Sequence, residues 1–199
     1  MIDQTGPDMR GKLAVSVHSL EMTAPPGNAA VTTPSPSARI LHVPTPTTAF
    51  YRFLYHTIGE EWLWSDRRRM TNDTLAAIIL HDKVDLYVLY VDNQPAGYAE
   101  LDGRQDGEIE LAYFGLMPGF TGMKLGPFLL DFAIRKAFEQ APRRLWVHTC
   151  SLDHPAALSV YQKCGFRLYD TKAEVWDDPR LDGTIPAHSA PHIPLSRET

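Results

Sequence analysis

Cysteine is scarce in this chain. Only Cys150 and Cys164 occur in 199 residues, too few for a disulfide framework and without the paired spacing of a zinc site. Both read as small, buried thiols in a reduced compartment. Long hydrophobic runs are also missing: none approaches the roughly 18 to 20 residues that cross a bilayer. The start, Met1 to Lys12, has no apolar leader segment, so a cytoplasmic protein away from membranes is expected. An excess of basic residues is the third absence. A formal net charge of −5 supplies no concentrated cationic surface for counterion release, which argues against a general nucleic-acid binder and suits a cationic partner. No His/Cys/Asp/Glu set has metal-ligand spacing, and His188 and His192 near the C-terminus are too sparse to supply one, so no metal is expected.

What is present is ordinary for a globular protein: 44% apolar and 22% charged residues. The length suits one core with tails. Residues 1–46 read as edge strands with a Pro-rich loop belonging to the same domain, residues 47–177 as the core, and residues 178–199 as a tail that is loose or lies over the surface. Leu13 to Met22 alternates as a strand and Ala38 to Val43 is a second; the two are expected to pair antiparallel at one edge, joined by the loop TAPPGNAAVTTPSPS. Thr48 to Ile58 has helical spacing, with Gly59 as its stop. Asn72 or Asp73 caps a second helix that runs to about His81.

Asp85 to Val91 and Pro95 to Leu101 form a hairpin, and Glu108 to Met117 adds a further strand. Lys124 to Glu139 has the strongest period in the chain, with Leu125, Phe128, Leu129, Phe132 and Ala133 on one helical face. Arg144 to Cys150 is a strand, His154 to Lys163 a short helix, and Phe166 to Trp176 a last strand. The pattern predicts an α/β (α+β) fold: a mixed, mostly antiparallel sheet with helices on both faces.

Chemistry concentrates in the link from strand to long helix, Pro118-Gly119-Phe120-Thr121-Gly122-Met123-Lys124-Leu125-Gly126. A glycine-bearing turn that opens a helix leaves backbone N–H groups free to hold phosphate oxygens; equally, glycines serve turns that need positive φ. No Gly-Lys-Ser/Thr follows, and the dinucleotide-binding glycine spacing is missing too. The strand before this turn carries Glu110, flanked by Ile109 and Leu111, where desolvation would raise a carboxyl toward neutrality.

This junction resembles that of the GNAT acetyltransferase superfamily, which carries Arg/Gln-x-x-Gly-x-Gly/Ala after a strand ending in Pro. Gly126 matches the last position and Gly122 is a common extra glycine, while Thr121 stands where Arg or Gln is usual and Lys124 where the first Gly is usual. A second block, Ala157-Leu158-Ser159-Val160-Tyr161-Gln162-Lys163-Cys164-Gly165-Phe166, resembles the family's Ala-x-x-x-Tyr-x-x-x-Gly-Phe, with His154 where Asn is frequent. The resemblance runs from Phe50 to Trp176.

It implies an N-acetyltransferase that passes an acetyl group from acetyl-CoA to a primary amine by direct attack. The turn residues Thr121, Gly122, Met123, Lys124, Leu125 and Gly126 would cradle the pyrophosphate. Phe114, Gly115 and Leu116 would pair with the pantetheine arm, and His154 and Ala157 would flank the cofactor. The family's tyrosine, which protonates the leaving thiolate, corresponds to Tyr161.

Amine attack also needs a base. Glu110 resembles in position the catalytic glutamate of the histone-acetylating branch; Glu100 and His148 are the alternatives. Tyr51, Tyr55, Trp62, Trp64 and His148 are expected to bind the acceptor, with Glu60 and Glu61 attracting a cation and Arg67 to Arg69 holding a carboxylate or phosphate. The acceptor stays open among amino acid, polyamine, antibiotic and protein amine. A homodimer is expected to cover an exposed sheet edge. The competing readings are a GNAT-like module that binds acyl-CoA without transferring it, and a dimerising protein that has lost the cofactor.

Overall fold

The computed structural model describes residues 10–195; what the sequence suggests for residues 1–9 and 196–199 lies outside them. The strands are β1 (Lys12–Met22), β2 (Arg39–His42), β3 (Val84–Val91), β4 (Gln94–Asp102), β5 (Glu108–Leu116), β6 (Arg144–Cys150) and β7 (Arg167–Asp177). The helices are α1 (Thr48–Gly59), α2 (Asp66–Arg69), α3 (Asn72–Ile79), α4 (Leu125–Glu139) and α5 (Ala157–Lys163). The strands form one sheet in the order β2-β3-β4-β5-β6-β1-β7. Only β5 and β6 run parallel; the other neighbours are antiparallel.

Helices cover both faces. Alternation sends Leu86 and Val88 to one side of β3 and Tyr87 and Leu89 to the other. On the first face Leu86, Val88 and Tyr98 pack under Tyr51, Leu54, Ile58 of α1 and Leu75, Ile79 of α3. On the second, Tyr87, Leu89, Ala99 and Leu101 pack under Leu125, Leu129, Ala133 and Ala137 of α4. The helical stripe read in the sequence is thus the buried face of α4, and α5 joins it through Tyr161.

The expected pair of N-terminal strands does not form. β2 lies outside β3 at one edge, whereas β1 enters between β6 and β7 near the other. The Pro-rich connection is long enough to cross the sheet and is tied down over α4 on the way. Asp131 accepts from the Val31 amide at 3.0 Å, and Arg135 donates to the Asn28 carbonyl at 2.9 Å. The two edges of the sheet are therefore β2 and β7.

Smaller corrections have local causes. Thr71 caps α3, its hydroxyl accepting from the Thr74 amide, because Asn72 is already accepting from Arg52. Gly59 is the last residue of α1 rather than the stop just beyond it. The chain then makes a 3-10 turn, Glu60–Trp62, and reverses at Leu63, which holds the left-handed conformation. A Cβ on Gly59 would lie 2.5 Å from Cβ of Trp64, so the glycine's real service is to let the indole lie against the helix.

The segment after β7 lies over the surface, with a buried anchor. The Asp178–Arg180 ion pair, at 2.7 Å, is almost fully sealed, and Arg180 also donates to the carbonyls of Ser189, Ala190, Ile193 and Pro194. Ile185 and Ala190 complete a small core with Leu13, Val15, Leu63 and Leu152.

Candidate active site

β5 and β6 pair only from Glu108↔Arg144 to Glu110↔Trp146. Beyond that rung they part, because β5 carries a bulge: Leu101 faces Leu111 and Glu100 faces Tyr113, leaving Ala112 extra. A bulge bends its strand and ends pairing on one side. The backbone of Ala112 to Leu116 thus faces β6 without a ladder. A cavity of about 880 Å³ opens there, running from the turn before α4 to the loops around Trp62 and Trp64.

At one end is the turn expected to hold phosphate. Gly122 (φ 80°) and Lys124 (φ 60°) are both left-handed, and no side chain caps α4. Among the described residues the amides of Thr121 to Gly126 donate to no protein acceptor. A Cβ built on Gly122 would meet nothing within 4 Å, so the concave side of the turn is open. Pro127 lacks an N–H at a position where none is needed. Lys124 lines the cavity and has no carboxylate partner among the described residues. A free run of amides, the positive end of a helix and an uncommitted ammonium are the donor set that a diphosphate requires. The residues therefore fit a phosphorylated ligand.

In the middle, Phe114, Gly115 and Leu116 line one wall and Ala157, Val160 and Tyr161 the other. The Tyr161 ring stacks edge-on against Phe114 and Phe166. Burial, with Asp153 adding to it, raises its phenol above the ordinary value, so the proton stays on. Cys150 also borders the cavity, but burial and then Asp153 push its thiol up to about 12, which leaves no thiolate near neutrality.

The far end is aromatic. Trp64 and Tyr113 have ring centroids 5.2 Å apart, and Tyr55 lies 5.0 Å from Tyr113. Asp153 fixes the indole by accepting from Trp64 Nε1 at 3.2 Å while also holding Thr149 and the Cys150 amide. Trp62 stands between the rings of His154 and His192. His148 reaches the cavity with its Nδ1 3.1 Å from Glu110 Oε1. That hydrogen bond raises its imidazole above the ordinary histidine value, with Asp153 and Asp66 adding to the effect.

The structure gathers most of the expected residues around this cavity: Phe114 to Leu116, Thr121, Gly122, Lys124, Gly126, His154, Ala157, Tyr161, Tyr55, Trp62, Trp64 and His148 all line it. Others stand elsewhere. Tyr51 is buried and donates its hydroxyl proton to Glu100. Glu100, an alternative base, is sealed between Tyr51 and Arg67, whose Nη2 lies 2.7 Å away, and cannot meet a substrate. Glu110 sits behind His148 rather than on the cavity wall. Met123 points to solvent, and the Leu125 side chain is core. In the arginine run Arg67 pairs with Glu100 and Arg68 with Glu60, while Arg69 lines the cavity and pairs with Asp182 at the surface. Sequence reasoning missed Asp66, Tyr113, Asp153 and Trp176, which line the cavity and belong to no motif; the adjacent aromatics Tyr113 and Phe114 of β5 were the one available signal, for Tyr113.

The matching family model is the acetyltransferase (GNAT) family, over residues 49–166. The chain belongs to this family. Solved structures with the same fold include a GCN5-related N-acetyltransferase from Sphaerobacter thermophilus, 11% identical with a TM-score of 0.59 over 81% of this chain and 50% of that one. Another is the GCN5-related N-acetyltransferase from Kribbella flavida, 18% identical, TM-score 0.57, over 87% and 63%. The PaiA N-acetyltransferase from Thermoplasma acidophilum, in complex with coenzyme A, is 18% identical with a TM-score of 0.52 over 69% and 96%. The chain thus spans between half and under two thirds of the length of the first two. No curated protein matches the sequence. Among the described residues no helix is long and apolar enough to cross a membrane, and no group of three or more His, Cys, Asp or Glu is arranged to hold a metal.

Proposed function

We propose that the chain transfers an acetyl group from acetyl-CoA to a primary amine by direct attack in a ternary complex. The observation that carries this is one continuous cavity with free amides at one end, an unpaired strand edge and a phenol in the middle, and an imidazole backed by a carboxylate at the other. The pyrophosphate belongs at Gly122 to Gly126, and the amide arm of the pantetheine adds to the open edge of β5 as an extra strand would. The thioester then lies between Tyr161 and His148.

The amine nitrogen attacks the thioester carbonyl carbon and gives up a proton to His148 Nε2, while Glu110 holds the ring by Nδ1. The carbon–sulfur bond breaks, and the thiolate takes the Tyr161 proton. Products are the N-acetyl amine and free coenzyme A; the imidazolium of His148 releases its proton to solvent and the phenol regains one from it, so the cycle closes with no net proton change. His148 thus takes the part of base first expected of Glu110, with Glu110 as its positioning residue. A thiol pushed up to about 12 at Cys150 supports direct transfer over an acyl-cysteine route.

The test is calorimetric titration with acetyl-CoA, followed by assay of free-thiol release with an amine panel. Micromolar binding with amine-dependent thiol release is expected. Binding without release from any amine means a module that holds acyl-CoA without using it, and no binding at millimolar acetyl-CoA ends the cofactor reading.

A further inference from the structure

The two edges of the sheet are finished differently. β2 is four residues long and is followed closely by Pro44; a short strand and a proline each blunt an edge. β7 is eleven residues long, holds neither proline nor glycine, and among the described strands pairs only with β1. All of its residues except Asp170 are exposed, and the large apolar side chains of Leu168, Tyr169, Val175 and Trp176 are among them. We infer that β7 is the interface of a homodimer, in which two copies join edge to edge and antiparallel about a two-fold axis at Ala173.

The charge pattern of the strand selects that axis. Opposite residues of an antiparallel pair face the same side of the sheet, so a two-fold axis normal to the sheet sets one residue against its own copy. Tyr169 is the extra residue of a bulge between β1 and β7, which leaves Asp170 to Asp177 as the regular stretch. An axis at Lys172 would set two ammoniums against each other and Asp170 against Glu174. At Glu174 two carboxylates would meet, an axis at Thr171 would draw the bulge into the ladder, and one beyond Glu174 would pair only the last few residues. At Ala173, Lys172 lies opposite Glu174 on both sides of the axis, Thr171 lies opposite Val175, and a methyl group faces its copy. Opposite charges so placed attract, whereas like charges repel.

Contacts within the strand do not oppose this pairing. Lys172 meets Asp170 of its own strand at 3.3 Å with 68% of its side chain exposed, and Glu174 accepts from Trp176 Nε1 at 2.7 Å. Ion pairs as open as the first contribute little, and Lys172 keeps Asp170 while it gains a second carboxylate. On the other side of the sheet, Ala173 and Val175 lie beside Ser16 and Ala14 of β1, all four exposed. That surface is small-featured and uncharged, so a partner strand can approach it closely. Val175 and Trp176 also border the cavity, and the partner strand therefore runs along its rim.

The experiment follows association of the full chain by sedimentation equilibrium over micromolar concentrations, with far-UV circular dichroism to show that each variant is folded. The parent chain should reach twice the monomer mass. Lys172→Glu should weaken the dimer about tenfold or more, since both opposed pairs turn from attraction to repulsion, and adding Glu174→Lys should restore it. Under mild oxidation Ala173→Cys should give a disulfide-linked dimer, because opposite Cα atoms in either kind of antiparallel rung lie about 4.5 to 5.5 Å apart, within disulfide reach. Thr171→Cys would stand about 14 Å from its copy along the ladder and should give none, nor should the parent through Cys150 or Cys164. Any one of four results overturns the assignment: a parent chain that stays monomeric, a Lys172→Glu chain that dimerises as well as the parent, a double variant no stronger than Lys172→Glu, or crosslinking of Thr171→Cys in place of Ala173→Cys.

Discussion

His148 Nδ1 lies 3.1 Å from Glu110 Oε1, across the parallel strands β5 and β6 and next to the last rung before they part. The rung pairs Glu110 with Trp146, and His148 is the next residue on the same side of β6. A carboxylate anchored in the paired half of the strands thus holds an imidazole that belongs to the open half. Ring orientation and position of the gap are set by the same rung.

The first prediction follows from the direction of the histidine shift. Only the neutral imidazole accepts a proton, so kcat/KM should rise with pH through a value above the ordinary 6.5, since Glu110 raises the group. Glu110→Gln removes the carboxylate's charge and should move this limb to lower pH. His148→Gln should abolish the limb and cost about 100-fold or more in kcat, within the range for loss of a general base. A limb that stays put in Glu110→Gln would show that the pair does not govern proton transfer.

Tyr161 titrates the other way. Its phenol is raised by burial and must be protonated to act, so no alkaline limb from this group should appear up to its ordinary value of about 10. Tyr161→Phe keeps the ring contacts with Phe114 and Phe166 and should lower kcat about 10- to 100-fold with little change in acetyl-CoA affinity. Turnover undiminished at every pH would remove the acid role.

Lys124 and Gly122 make a separable pair at the phosphate end. Lys124→Ala should weaken coenzyme A about fivefold, as expected for one charge-assisted contact of about 1 kcal/mol, and leave unfolding unchanged. Gly122→Val puts a branched residue at φ 80°, a strain of about 1 to 2 kcal/mol or more. Calorimetry should show both variants losing affinity for coenzyme A and neither losing affinity for pantetheine, which has no phosphate. An equal loss for both ligands would mean that the turn does not bind the diphosphate.

The fold was largely legible because periodicity is local. The stripe of α4 and the β-rich runs of β3 and β4 each follow from neighbours in sequence. Strand partners are not local: nothing in LAVSVHSLEM says that it will enter between β6 and β7, and a connection that crosses α4 through Asp131 and Arg135 leaves no period to read. The same limit applied to the site. Glycines and the Ala-x-x-x-Tyr block mark the end proposed for the cofactor, through the turn before α4 and the start of α5. Glu110 and His148 are joined by strand register alone. Tyr51 and Tyr55 lie one helical turn apart on one face of α1, so spacing could not separate the one that meets Glu100 from the one that borders the cavity. The buried Asp178–Arg180 anchor sits in a stretch whose prolines and glycine read as loose chain.

Arg67 and Glu100 give a prediction about stability rather than catalysis. Glu100 is fully buried, Arg67 nearly so, and they lie 2.7 Å apart. Burial pushes the carboxyl up while Arg67 pulls it down, and Tyr51 completes the set by donating to the second oxygen. Arg67 Nε finds no partner among the described residues, so the pair is incompletely satisfied and its net worth against an apolar filling is small. Removing one member is a different matter, because the other is left charged and alone. Arg67→Met should cost roughly 3 to 5 kcal/mol, and Arg67→Met with Glu100→Leu should recover most of it. Tyr51→Phe should cost about 1 to 3 kcal/mol through the lost donor. Urea unfolding reads all three as shifts in midpoint at constant slope. Since the pair does not face the cavity, kcat per folded molecule should change little. An Arg67→Met protein as stable as the parent would mean that Glu100 gives up its charge at no cost, contrary to the role assigned to this pair.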